Sequence, residues 1–336
     1  MQILKQVVGI DVSKDDLVVC FGSLDSDLKQ VLSNVKSFKN KLTGFKELLK
    51  WINIFRNSPD IPLWFVMEAT GIYYENLAYY LAQNDFLITV LLPNKAKSYM
   101  KTLENKSKTD GLDALALAQF GLEKTLKKWL IPNKLLKTLK LLSREYQTIK
   151  SLTVQVQNRM HAKEHSFEPS KETFKRLKQQ LCLYKKQLKE INKQIEEFVK
   201  QDTELYEKID KLQKIEGVGL MTIVSVISET NGFAMIENAK QLTSYAGIDV
   251  VHNQSGYSVR KTRISKKGNS FLRQSLYMPA LCAVKYNHKL KQFYTRLVIK
   301  KNVKKLALIA VMRKLLLLIY TLWKNDIEYI PNYQKA

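Results

Sequence analysis

Residues 5–22 form two short, largely apolar β-rich runs around the polar Ser13-Lys14-Asp15-Asp16, and predict a hairpin. A third strand is expected near Gln30–Leu32, and helical spacing runs over Leu42–Phe55. Pro62–Met67 reads as a buried strand, Tyr73–Gln83 as a helix, and Phe86–Leu92 as a strand stopped by Pro93-Asn94. A helix then runs from about Thr109 to Lys124.

Pro132-Asn133 marks the next boundary, and residues 134–160 are helical and lysine-rich. Ser166–Ser170 interrupts the pattern. Beyond it Phe174, Leu177, Leu181, Tyr184, Leu188, Ile191, Ile195 and Phe198 recur at alternating spacings of three and four, a heptad seam. The seam fits an intermolecular coiled coil or one arm of a helical hairpin packed on residues 134–160, and the two can coexist. From Leu212 a compact region begins. Ile215-Glu216-Gly217-Val218-Gly219 resembles the hairpin of a helix-hairpin-helix module, where Gly217 and Gly219 would let backbone N–H groups approach a phosphate. A plain helix-turn-helix turn accounts for the same glycines. Gln254–Lys261 reads as a polar loop between apolar helical segments, and Ser265-Lys266-Lys267-Gly268-Asn269 opens a helix over Phe271–Tyr277. The apolar stretch Leu306–Trp323 carries Arg313 and Lys314 at its centre, which predicts a buried helix with a basic stripe rather than a membrane span. The domains expected are 1–130, a helical connector over 131–205, and 206–336.

Charge then changes the picture. Lysine and arginine exceed aspartate and glutamate by 24, which points to a polyanionic partner. No acidic residue lies between Asp249 and Asp326, while basic residues recur from Arg260 to Lys324. A lysine-rich proteome explains many lysines but not the missing acids, so this stretch reads as a phosphate-contacting face. Arg260, Lys261, Arg263, Lys266, Lys267, Asn269 and Arg273 are its candidate contacts. Cys20, Cys182 and Cys282 form neither a metal-ligand spacing nor a disulfide framework, and the N-terminus enters a strand pattern directly; both fit a reducing cytoplasm.

The candidate chemistry begins with four carboxylates. Asp11 interrupts Val7–Val12, Glu68 ends Leu63–Met67, and Asp110 and Asp113 sit three apart at a helix start, on one face. Such acids can hold hard cations, and a cation pair stabilises both the attacking and the leaving oxygen of phosphoryl transfer. Mg²⁺ is the expected cofactor, with Mn²⁺ as the alternative. The element order and the positions of these acids are those of an RNase H-like α/β domain, followed by a mainly helical second half. A second centre is Ser255, whose hydroxyl beside Gly256 could approach a phosphate with Arg or Lys nearby. Ser-Gly is most often a turn, and Ser258, Tyr257 and Tyr277 are rivals. No Gly-x-x-x-x-Gly-Lys-Ser/Thr occurs, so rejoining DNA would need the bond energy kept in an enzyme–DNA ester or passed on by transesterification.

Five motifs, in order, resemble the insertion-sequence one-ten family of transposases, relatives of pilin-gene invertases. They are Gly9–Lys14, Glu68–Gly71, Lys108–Ala114, Tyr245–Ile248, and Gln254–Gly256 with Ser265–Asn269 and Leu272-Arg273. The resemblance implies a RuvC-like domain with Asp11, Glu68, Asp110 and Asp113 as its DEDD acids and Mg²⁺ ligands. It implies a coiled-coil connector and a C-terminal transposase domain with Ser255 as the nucleophile of a covalent protein–DNA intermediate. It further implies double-stranded donor and target DNA, a non-coding bridge RNA as guide, a homo-oligomer (dimer or tetramer), and a bacterial cytoplasmic address on the nucleoid. Val250 stands where relatives commonly carry proline. The competing readings are a metal-dependent hydrolytic nuclease of junction-resolvase type, and a non-catalytic nucleic-acid-binding protein.

Overall fold

A computed structural model describes the chain except Met1, Asn57, Thr70, 104–106, Lys108, Pro169, Met235, 252–253, 256–257, 260–261 and 332–336; residues 254, 255, 258 and 259 are described in backbone only. Two compact units divide at Ile131/Pro132.

The first unit contains β1 (Ile3–Val12), β2 (Asp16–Asp25), β3 (Gln30–Leu32), β4 (Lys36–Lys39), α1 (Leu42–Phe55), β5 (Leu63–Glu68), α2 (Glu75–Gln83), β6 (Leu87–Leu91), α3 (Pro93–Met100) and α4 (Asp110–Glu123). Its sheet runs β3-β2-β1-β5-β6, with β4 also paired to β2. The β1–β2 and β2–β3 pairs are antiparallel, whereas β1–β5 and β5–β6 are parallel. That mixed order is the RNase H-like topology expected from the element sequence. The first turn is closed by Ser13: its N–H donates to Asp16 O at 2.9 Å, and its hydroxyl accepts from Asp16 N–H at 3.0 Å. Side chains alternate across the sheet. Val8, Ile10, Val12, Phe65 and Met67 pack with α1 and α2 on one face, while Val7, Val66 and Leu91 meet Leu117, Phe120 and Leu122 of α4 on the other.

In this first unit β4 and α3 differ from the sequence expectation. Strand β4 carries one apolar side chain, Phe38, between lysines, so it lacks the alternation that marks a half-buried strand. Pro93 does end a strand, but it also opens α3, because a proline at the first helical turn gives up no helical hydrogen bond.

The second unit contains α5 (Lys134–Glu164), α6 (Lys171–Lys200), α7 (Thr203–Gln213), α8 (Leu220–Glu229), α9 (Ala239–Ala246), β7 (Val250–Val251), β8 (Gln254–Ser255), β9 (Ser258–Val259), β10 (Arg263–Ile264), α10 (Ser270–Tyr286), α11 (His288–Lys301) and α12 (Lys304–Asn325). Helices α5 and α6 pack together, so the heptad seam serves a hairpin; Leu177, Ile191 and Ile195 are its buried members. Helix α10 continues past the expected end at Tyr277 and through Pro279, because Leu276, Pro279, Ala280 and Ala283 are all buried. Helix α12 is long and apolar enough to cross a membrane, yet Leu308, Val311, Leu315, Leu316 and Ile319 belong to the core of this unit. Lys314 Nζ instead lies 4.2 Å from the Phe293 ring centroid.

Candidate active site

Sheet register explains how acids far apart in sequence meet. Val7, Gly9 and Asp11 share the β1 face that looks toward α4. A Cβ on Gly9 would lie 2.2 Å from Ala118 N and 2.3 Å from Ala114 O, and one on Gly121 would lie 2.4 Å from a Val7 methyl. These contacts set α4 flat on β1 and run it the opposite way. Two strand residues rise about 6.6 Å and four helical residues about 6 Å. The step from Gly9 to Asp11 therefore brings the first turn of α4, with Asp110 and Asp113, over Asp11. On the neighbouring strand Gly9 pairs with Val66 and Ile10 with Met67, so Glu68 is the next residue level with Asp11. Thr109 caps α4 by accepting from Leu112 N–H at 3.2 Å.

The electrostatics follow this placement. Burial first, then the negative charges of Asp110, Asp113 and Glu68, push the Asp11 carboxyl up to about 6, against a backbone hydrogen bond from Val12. The four acids thus share one end of the sheet. They do not form a ready shell: among the described residues no three His, Cys, Asp or Glu side chains are grouped to hold a metal ion. Asp110 is exposed, and Asp11, Glu68 and Asp113 are half-buried. The donor set is oxygen only and fits a hard cation, whose charge would reverse the repulsion at Asp11.

Titration of Asp11 makes stability depend on pH, with a definite sign. Because the folded-state value lies above the ordinary 3.8, folded protein takes up a proton at Asp11 between about pH 4 and 6 that unfolded chain does not. Ionised Asp11 is a cost above pH 6 that is relieved as pH falls through this window. In metal-free protein Asp11→Asn is expected to stabilise at pH 7.5 by on the order of 1 kcal/mol, discounted for solvent screening, and by little at pH 4. Thermal melts of both proteins at both pH values check this; equal differences at the two pH values contradict it.

The second centre differs from the expected polar loop, since its described backbone holds two short antiparallel strand pairs (the serine ribbon). Val250 pairs with Ile264 and Val251 with Arg263, and further out Gln254 pairs with Val259 and Ser255 with Ser258. Ser255 therefore stands at a hairpin end. Gly256, the rival Tyr257, and the basic candidates Arg260 and Lys261 lie outside the described residues. At the ribbon's root Ser265 N–H donates to Asp249 O at 3.0 Å, the Ser265 hydroxyl donates to the Asp249 carboxylate, and Asn269 N–H donates to Tyr245 O at 2.7 Å. Gly247 has φ +67°, and a Cβ on Gly268 would sit 2.5 Å from Gly247 N.

Beneath this root lies a buried charge that sequence reading missed. Glu229, 2% exposed, ends α8. It accepts from Arg144 Nε at 2.5 Å, Arg144 Nη2 at 2.9 Å and Asn269 Nδ2 at 2.7 Å, with Lys140 Nζ at 3.7 Å. The available signal was one acid closing the otherwise apolar helix Leu220–Ile227, which has to be paired if buried. Arg144→Ala is expected to cost about 3 kcal/mol in chemical denaturation by leaving this carboxylate short of its main partner. Arg144→Met with Glu229→Leu should recover most of that loss.

The phosphate-contact candidates divide accordingly. Arg263, Lys266 and Lys267 are exposed. Asn269 is turned inward onto Glu229 and caps α10, and Arg273 donates to Ala246 O at 2.9 Å and Gly268 O at 3.0 Å. Gly217, at φ +85°, is needed for packing: a Cβ there would meet Ala283 N at 2.7 Å. Gly219 caps α8 with open space around it, which leaves backbone approach to a phosphate available there.

Residues 8–163 match a DEDD transposase family model of the IS110 group, and residues 209–295 match a model described as transposase IS116/IS110/IS902 family. The chain is 28% identical over 332 residues to the pilin gene-inverting protein of Moraxella bovis, covering 96% of this chain and 97% of that protein. The corresponding protein of Moraxella lacunata matches with the same identity and coverage. T. thermophilus RuvC in complex with a Holliday junction substrate aligns at 15% identity, over 37% of this chain and 99% of that one, with a TM-score of 0.27. The fold assignment rests on the sheet order and not on that alignment. With both family models matched in order along the chain, and relatives aligned from end to end, this protein is a DNA recombinase/transposase and belongs to the IS110 transposase family.

Proposed function

We propose that the protein cuts and rejoins donor and target DNA through a covalent ester between Ser255 and DNA, assisted by a divalent cation at Asp11, Glu68, Asp110 and Asp113. The observation that carries the acidic half is the register that brings the start of α4 and the end of β5 to Asp11, whose carboxyl is pushed up to about 6 by burial first and then by the three other acids. Mg²⁺, or Mn²⁺ in its place, would supply charge neutralisation at the reacting phosphate. Asp11, Glu68, Asp110 and Asp113 would hold that cation beside the phosphate. The Ser255 oxygen bonds to phosphorus as one P–O ester bond breaks; the serine gives up its proton and the departing deoxyribose hydroxyl gains one. Return of a hydroxyl end reverses the step and frees the serine. Arg263, Lys266 and Lys267, exposed near the root of the serine ribbon, bind the phosphate backbone, and Arg260 and Lys261 join them in this reading. Resemblance to the family supports a non-coding guide RNA and assembly as a dimer or tetramer; a basic surface alone does not tell RNA from DNA. A DNA substrate would place the enzyme beside the nucleoid in the cytoplasm.

The experiment is strand cleavage of supercoiled plasmid, with guide RNA and Mg²⁺, by Asp11→Asn and Asp113→Asn. Both variants are expected to bind DNA as wild type does and to lose cleavage by about 10³-fold or more. Full cleavage by either removes the acids from the chemistry.

A further inference from the structure

Helix α11 has a face that neither its packing nor the proposed chemistry uses. Its inner side, through Leu290 and Phe293, joins the core of the second unit. At 100° per residue, His288, Gln292, Thr295 and Ile299 fall within one narrow stripe on the opposite side. All four are exposed, Ile299 at 80%. Lys291 stands on one shoulder of the stripe, and Arg296 and Lys300 stand on the other. The seven side chains line one continuous surface. No acidic residue occurs in α10, α11 or α12, so nothing on these helices offsets the shoulders.

A stripe without lysine or arginine between two cationic shoulders suits a helix that reads base edges while its flanks grip the two phosphate strands. We infer that α11 is a groove-docking helix that enters the major groove of duplex DNA. Gln292 can bond both the acceptor and the donor of an adenine edge, and the methyl groups of Thr295 and Ile299 can meet thymine methyls. Shape selects among nucleic acids. An α-helix about 10–12 Å across fits the roughly 12 Å B-form major groove, whereas the A-form major groove of duplex RNA is too deep and narrow. The inference rests on duplex DNA as the substrate and on neither Ser255 nor a bound cation.

The test uses full-length protein with a mixed-sequence B-form DNA duplex and an RNA duplex of the same sequence. Lys291→Gln, Arg296→Gln and Lys300→Gln keep the helix and remove charge. Each is expected to lower the slope of log affinity against log salt by about 0.9, and the triple variant to bind DNA at least about ten-fold more weakly at moderate salt. RNA-duplex affinity should change much less. A triple variant with the wild-type slope, or with a larger loss on RNA than on DNA, overturns the inference. Selection from a randomised duplex pool tests base reading separately. Gln292→Ala with Thr295→Ala should relax sequence preference at neighbouring positions without altering the salt slope, and an unchanged preference overturns that part. Retained adduct formation by these variants at saturating DNA would leave the Ser255 reading standing whichever result is obtained.

Discussion

Ser255→Ala is expected to abolish both strand rejoining and any protein–DNA adduct that survives denaturation. Removing a nucleophile that forms a covalent intermediate lowers turnover by on the order of 10⁴-fold or more, since no neighbouring group restores the bond. The variant should fold normally, because Ser255 lies at the end of a two-stranded ribbon whose root is held by Asp249, Ser265, Tyr245 and Asn269. A denaturing gel with end-labelled DNA reads the adduct. A Ser255→Ala protein that still forms one would move the nucleophile to Ser258, Tyr257 or Tyr277. Cleavage at the wild-type rate with no adduct in either protein would instead favour water as the attacking group, as in a hydrolytic nuclease.

Gly9→Ala is expected to be the most damaging single-methyl change in the first unit. The added carbon would sit 2.2 Å from Ala118 N and 2.3 Å from Ala114 O, and both are backbone atoms of a helix that cannot rotate aside. Helix α4 has to lift from β1, at a cost of about 3 kcal/mol, the upper part of the overpacking range. The same lift carries Asp110 and Asp113 away from Asp11. A displacement of about 1 Å in a positioned group can cost about 10²-fold in rate, so cleavage should fall even in protein that remains folded at low temperature. Nuclear magnetic resonance titration of the Asp11 carboxyl supplies an independent reading. Its pKa, raised to about 6 in the native packing, should move toward the ordinary carboxylate range as the lifted helix admits water to it and its acidic neighbours recede. Unchanged titration and unchanged cleavage in Gly9→Ala would contradict this account of the site.

The parts legible in the sequence were those written in local pattern. Apolar runs and helical spacing marked β1, β2, α1, β5, α2, β6 and α4, because these elements supply the core of the first unit, and β3 was marked by its short β-rich run. The four acids stood out for a related reason: Asp11 and Glu68 lie within or at the end of strands otherwise filled with core residues. Strand β4 escaped notice because it pairs through its backbone while presenting lysines outward. The fate of Asn269 and Arg273 was hidden for a different reason. A basic run looks alike whether its members face solvent or turn inward, and the choice here is made partly by Glu229, forty residues from Asn269. Gly9 is likewise silent in sequence until α4 is laid across it. Long-range close approach leaves no periodic mark.

The central claim is that phosphodiester energy passes through the protein and not to water. Recombination in water enriched in ¹⁸O, followed by mass spectrometry of the strands formed, measures this directly. The account predicts no ¹⁸O in phosphates at rejoined junctions, and during the reaction a deoxynucleotide phosphate on the peptide containing Ser255. One ¹⁸O in the phosphate at each cut end, with no modified peptide, would contradict it.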